Sequence, residues 1–161
     1  MAGSVERFER LLIEAGLAGR VVRLQANTRT AELAARALGT EVGAIVKSLV
    51  VLVDGRPCLA LVSGDRRADL GRLARLFQGD QAEMARGARV KEITGFAIGG
   101  VPPLLSDEDG RRLPTVMDRA LFRYREVWAA AGSPYAVFPI APAELSRLAG
   151  APVEDFVEPR C

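Results

Sequence analysis

The run Gly43-Ala44-Ile45-Val46-Lys47-Ser48-Leu49-Val50-Val51-Leu52-Val53, closed by Asp54-Gly55, constrains the fold more than any other stretch. Its β-branched and aliphatic density predicts a strand, and Asp-Gly predicts a tight hairpin turn after it. Alternation puts Ile45, Lys47, Leu49, Val51 and Val53 on one face and Val46, Ser48, Val50 and Leu52 on the other. Both faces are apolar, so the strand is expected to be central and covered on both sides. Lys47 is the exception. An ammonium inside such an element needs an anion, carbonyl oxygens or a cleft open to water; a side chain snorkelling past a strand end is the plainer alternative. Of the 22 basic residues only Lys47 and Lys91 are lysines and the rest are arginines, so lysine at position 47 stands out against its own chain.

The flanking elements follow from caps and periodicity. Ser4 is placed to cap a first helix carrying Phe8, Leu11, Leu12 and Ala15. Val21-Val22-Arg23-Leu24 predicts a short strand, and Thr30 and Gly39 bracket a helix over 31–38. After the turn, Cys58-Leu59-Ala60-Leu61-Val62-Ser63 returns as the hairpin partner, and Asp69 caps a helix over 70–77. Residues 81–86 and 90–94 predict two short helical pieces, 95–103 a loop, 113–117 a strand, and 118–126 a mixed segment with one helical turn. Residues 136–140 predict a strand that Pro139 assigns to an edge or a bulge, and 142–148 a last helix opened by Pro142. This pattern predicts one α/β (α+β) domain over residues 1–161, with a mixed sheet surrounded by helices.

Composition narrows the chemistry. No histidine is present, which excludes imidazole general-base catalysis, Ser-His-Asp and Cys-His nucleophiles, and histidine metal sites. Cys58 and Cys161 lack metal-ligand spacing and predict free thiols in a reducing compartment. No metal and no cofactor are expected. The net charge of +2 is too weak by itself to argue for nucleic acid, and DNA is not expected as a partner. Met1-Ala2-Gly3-Ser4-Val5-Glu6 lacks a signal-peptide apolar region and no apolar run reaches membrane-spanning length, so a cytoplasmic protein without a membrane partner is expected.

Three constellations can carry chemistry. Lys47 with Gly99-Gly100-Val101-Pro102-Pro103 pairs a cation with a rigid bend able to aim N–H groups at an oxyanion, where a plain turn is the alternative. Ser63-Gly64-Asp65 ends the return strand beside Lys47 and either joins the same cleft or caps the next helix. Arginines at 66, 67, 72, 75, 111, 112, 119, 123 and 125 either neutralise phosphates or form a solvated surface. Trp128 reads as a core or rim anchor.

Four stretches, in order, resemble the YbaK/ProX family of aminoacyl-tRNA deacylases, related to the editing insertion of prolyl-tRNA synthetase. They are Gly43-Ala44-Ile45-Val46-Lys47-Ser48-Leu49-Val50, Leu61-Val62-Ser63-Gly64-Asp65-Arg66-Arg67, the run Glu92 through Pro103 with its Gly99-Gly100-Val101-Pro102-Pro103 loop, and Glu126-Val127-Trp128-Ala129-Ala130-Ala131-Gly132-Ser133-Pro134. The resemblance covers roughly residues 30–150. It implies a single domain with a mixed, strongly curved sheet, and metal-independent hydrolysis of the ester joining a wrong, small amino acid to the tRNA 3′ end. Lys47 and Gly100 then take the catalytic positions. Thr30, Ser63, Gly64, Asp65, Gly99, Val101, Pro102, Pro103, Ser133 and Tyr135 take substrate-binding ones. The implied partners are the acceptor end of a mischarged tRNA and an aminoacyl-tRNA synthetase. A non-catalytic module of the same fold, binding aminoacyl-tRNA or a synthetase, is the alternative. Tyr135 stands where many members carry histidine, so substrate identity does not transfer. An aminoacyl ester is already activated, and its hydrolysis asks for a positioned water and charge stabilisation rather than an imidazole. Lys47 can supply that charge as an ammonium, the preferred reading, or act as a base with a depressed pKa.

Overall fold

The computed structural model describes residues 3–25, 28–107 and 109–159; Cys161 lies outside them. In chain order the elements are α1 (Ser4–Glu14), β1 (Val22–Arg23), α2 (Ala31–Leu38), β2 (Val46–Val53), β3 (Arg56–Ser63), α3 (Leu70–Leu76), β4 (Ala82–Met84), α4 (Gly87–Thr94), β5 (Thr115–Asp118), β6 (Val127–Ser133), β7 (Ala136–Ile140), α5 (Pro142–Ala149) and β8 (Val153–Glu154). Single 3-10 turns at Val42–Ala44 and Arg119–Arg123 lead into β2 and β6.

Local chemistry sets most boundaries. Thr30 accepts a hydrogen bond from the Leu33 N–H and Gly39 closes α2 in the left-handed conformation. Asp69 accepts from the Arg72 N–H to start α3. Asp54 and Gly55 both have positive φ, 49° and 82°, as a type I′ hairpin turn requires. Ser4 does not cap α1. Gly3 holds the N-cap position without a side-chain bond, and Ser4 is the first helical residue.

The strands form two sheets rather than the single curved sheet expected. A mixed sheet runs β4-β2-β3-β5-β8, and a smaller antiparallel sheet runs β1-β7-β6. They meet at one parallel bridge, Ile45 to Trp128. Residues 82–84 are a strand, not the helical piece the sequence suggested. The Asp54 carboxylate accepts from the N–H groups of Asp80 and Gln81, at 3.0 Å each, and so delivers the chain alongside Val53. The Ala-rich segment 127–133 is also a strand. Its partner β7 outweighs its weak intrinsic preference, and a register shift between Ala130 and Ser133 absorbs Gly132 at φ +102°. Pro139 lies on β7 beyond the reach of β1, which pairs only with Ala136 and Val137, so its missing N–H costs no ladder bond there.

Apolar side chains from β2 enter two cores. Val46 and Val50 join Phe8, Leu59, Leu61 and Phe138 between the sheets, where the Phe8 and Phe138 rings stand 5.2 Å apart. Val51 and Val53 join Val62, Leu73, Val116 and Phe156 on the other side. The strand is therefore covered on both faces, as its sequence predicts.

Candidate active site

A cavity of about 410 Å³ opens where the two sheets separate beyond the Ile45–Trp128 bridge. Its walls come from β2, α2 with the Arg29-Thr30 segment before it, the Ile98-Gly99-Val101 loop, and β6 at Trp128, Ala129 and Ala130. Lys47 lies on its wall, half-buried, and its Nζ donates to the Arg66 carbonyl at 2.6 Å. Burial lowers the Lys47 pKa below the ordinary lysine value, opposed by the negative charges of Glu32, Asp118 and Asp65. The carbonyl contact was among the three solutions the sequence required for an ammonium there.

The turn that supplies this carbonyl is clamped. Arg123 forks onto Asp65, with Nη2 donating to Oδ1 at 2.7 Å and Nη1 to Oδ2 at 3.0 Å; Nη2 also donates to Ser63 Oγ at 2.8 Å. Ser63 Oγ donates to the Gly43 carbonyl at 2.5 Å, and the Ser63 N–H donates to Asp118. The guanidinium holds the Asp65 carboxyl well below its usual range, at about 2. This network ties both ends of the Lys47 hairpin arm to the Arg119–Arg123 turn. Neither Ser63 nor Asp65 lines the cavity; both belong to the turn that carries Lys47's carbonyl anchor. Sequence spacing could not pair Asp65 with Arg123, one arginine among many.

Of the residues expected at the site, Lys47, Thr30, Gly64, Gly99 and Val101 line the cavity. A Cβ on Gly64 would meet the Val42 carbonyl, so glycine lets the turn approach that close. Gly100, expected at a catalytic position, does not line the cavity. Its N–H donates to the Ala97 carbonyl at 2.9 Å, and it is buried against the Ser133 backbone, which a Cβ would approach to 2.7 Å. The positive φ of this loop is at Gly99, +91°. Gly100 is thus a close-packing residue whose amide is already used. Pro102 and Pro103 are buried and do not line the cavity. Ser133 accepts from the Tyr135 N–H in the β6–β7 turn, and Tyr135 is exposed; neither reaches the cavity. Glu32, Ser48 and Trp128 line it without having been singled out for it, because their side chains carry no local signal for a wall formed by distant segments. Among the described residues no three carboxylate or thiol side chains gather as a metal site.

The family model for the aminoacyl-tRNA editing domain matches residues 25–148. The chain belongs to that family. A "Multifunctional Ser/Thr-tRNA deacylase ProXp-y" of Escherichia coli is 35% identical over 137 residues, covering 81% of this chain and 80% of that protein. A proline–tRNA ligase of Maridesulfovibrio salexigens is 41% identical over 75 residues, covering 47% of this chain but only 13% of the ligase. The solved structure of a candidate trans-editing enzyme for prolyl tRNA synthetase superimposes with a TM-score of 0.86 at 45% identity, covering 99% of each chain. The editing-domain fold therefore extends over essentially the whole chain. No described helix is long and apolar enough to cross a membrane.

Proposed function

We propose that this editing domain acts as a free-standing hydrolase, cleaving the ester between a small noncognate amino acid and the 3′-terminal ribose of tRNA. The observation that carries the reading is Lys47, a cation pinned to the Arg66 carbonyl in the wall of a cavity roomy enough for an aminoacyl group. Water adds to the ester carbonyl carbon, negative charge builds on the carbonyl oxygen, and the ribose oxygen leaves with a proton. Lys47 stabilises the charge developing around that centre, or holds the neighbouring phosphate, without giving up its own proton. Its fixed position means that little reorganisation is needed when the charge appears. The vicinal ribose hydroxyl is suited to orient the attacking water. Thr30, Gly64, Gly99 and Val101 shape the pocket around the substrate.

Alanine, serine, threonine or cysteine is the expected amino acid, as the family resemblance implies, and Val46, Val50, Val101 and Ala129 supply apolar wall around it. The name of the Escherichia coli relative supports the hydroxylated pair. The cytoplasm is the expected compartment, and an aminoacyl-tRNA synthetase the expected partner, given the related ligase insertion. The deciding experiment measures ester release from tRNAs specific for proline, alanine and threonine, each charged with noncognate amino acids, at micromolar protein. Release well above the spontaneous rate for at least one small amino acid is expected. Binding without release across the panel would leave the non-catalytic reading in its place.

A further inference from the structure

Strand β2 loses its outer neighbour where the cavity begins. β4 pairs with Val51, Leu52 and Val53, and its last contact is the Ala85 N–H donating to the Val50 carbonyl at 3.0 Å. Main-chain groups alternate sides along a strand, so the N–H and C=O of Ser48 point to the same side as those of Val50. The hairpin gives the same answer from the other edge. Val53 and Arg56 are the bonded pair that closes its two-residue turn, so Val51, Leu49 and Lys47 exchange bonds with β3 and Ser48 does not. β6 bridges to the chain entering β2 only at Ile45–Trp128. Among the described residues no strand is in register with Ser48 on that side, so its N–H and C=O face the cavity it lines, where the sheets part. Its hydroxyl is fully enclosed while the residue as a whole is only half-buried, so its accessible surface lies on Cβ and the main chain.

We infer that the Ser48 edge is the subsite for the aminoacyl group, which docks as a one-residue extension of β4. An aminoacyl ester carries an α-ammonium and a carbonyl with the spacing of the N–H and C=O of a peptide residue. Laid antiparallel against Ser48, its ammonium donates to the Ser48 carbonyl, and its ester carbonyl accepts from the Ser48 N–H. The first contact is charge-assisted and places the substrate cation on an acceptor instead of near Lys47, whose charge would repel it. The second supplies the oxyanion donor that Gly100, bonded to Ala97, does not. Orientation has a consequence for selectivity. The amino end of the docked residue faces Ala85, where β4 already occupies the edge, so a further acyl group on that nitrogen meets the chain leaving β4. The site accepts aminoacyl esters with a free α-amino group and rejects N-acylated esters such as peptidyl-tRNA. This inference rests on the function proposed above.

Two measurements test it. In the first, alanyl-tRNA and N-acetylalanyl-tRNA are hydrolysed by the full chain, each rate divided by that ester's spontaneous rate at the same pH. The acetylated ester is expected to lose at least about a hundredfold in normalised kcat/KM. Equal normalised rates, both above the spontaneous rate, would overturn the inference. In the second, binding of hydrolysis-resistant 3′-amides of 3′-amino-3′-deoxyadenosine is compared for alanyl, propionyl and N-acetylalanyl forms. The alanyl amide should bind tightest, the propionyl amide about tenfold or more weaker for lack of an α-ammonium, and the N-acetylalanyl amide weakest. Indistinguishable affinities, or no binding by any of the three, would overturn the subsite whatever the turnover. If the amides discriminate while no aminoacyl-tRNA is hydrolysed, the catalytic proposal fails and the subsite stands.

Discussion

The two halves of β2 have nearly the same kind of sequence and opposite structural roles. From Val50 to Val53 the strand is paired on both edges, with β3 and with β4, and Val51 and Val53 are completely buried. From Val46 to Leu49 its ladder partner among the described residues is β3, and its other edge faces the cavity. The paired half commits its main chain to the sheet and contributes stability. The open half turns its main chain and Lys47 toward the cavity proposed to hold the substrate, and is held in place from outside by the Asp65–Arg123 clamp. The candidate site is thus a strand whose partner stops early.

The contrast can be broken most strongly at Lys47. Lys47→Ala is expected to lower deacylation by about a hundredfold, on the order of 3 kcal/mol of transition-state stabilisation, while the folded protein and its melting temperature stay close to wild type. Single-turnover rates beside a thermal melt check this, and a well-folded variant within a few-fold of wild type would remove Lys47 from the mechanism. The wild-type pH profile sharpens the same point. The ratio of catalysed to spontaneous hydrolysis should fall as pH rises through a Lys47 pKa that burial has moved below the ordinary value, because the ammonium is the proposed active form. A ratio that rises through that pKa would identify a base instead.

In the paired half the expected effect is on stability. Val51→Ala removes methyl groups from a site with no solvent exposure and should cost about 2 kcal/mol in urea denaturation, with kcat of the folded fraction unchanged. A large loss of kcat without a loss of stability would erase the distinction between the halves.

The clamp between them should show a smaller, pH-dependent effect. Asp65 has its folded pKa depressed to about 2, so its contribution is fully present above the unfolded value near 4 and is lost as pH falls toward 2. With both side chains partly exposed, about 1–2 kcal/mol is expected. Asp65→Asn should remove that amount at neutral pH and flatten the acid limb of the stability curve, measured by denaturation between pH 2 and 7. An acid limb identical to wild type would show that the ion pair does not hold the turn.

The weakest expected effect concerns RNA affinity. With a net charge of +2 and about three neutralised phosphates, log K against log salt should have a slope near −2. A slope near zero would confine recognition to the aminoacyl end, and one steeper than about −6 would require an extended tRNA footprint.

Elements defined by neighbouring residues are legible in the amino-acid sequence. The Thr30 cap of α2, the Asp54-Gly55 turn and the Asp69 cap of α3 each depend on a side chain bonding a backbone group a few residues away, or on φ values a short sequence must tolerate. Lys47 can be singled out for the same reason, since an ammonium in an apolar strand raises a solvation problem that neighbouring residues state in full. What answers the problem cannot be read there. The Arg66 carbonyl, the Asp65–Arg123 fork, the strand character of 82–84 and of 127–133, the committed amide of Gly100 and the free edge at Ser48 all depend on which distant segment arrives at which register. Hydrogen bonds between backbone groups are the same for every residue type, so a sequence marks where a strand can form but not where its partner ends. The tertiary structure decided that β4 ends at Met84, with Ala85 making the last bond, and that among the described residues β6 bridges to this strand's entry at Ile45 alone; the gap between those two points is the cavity.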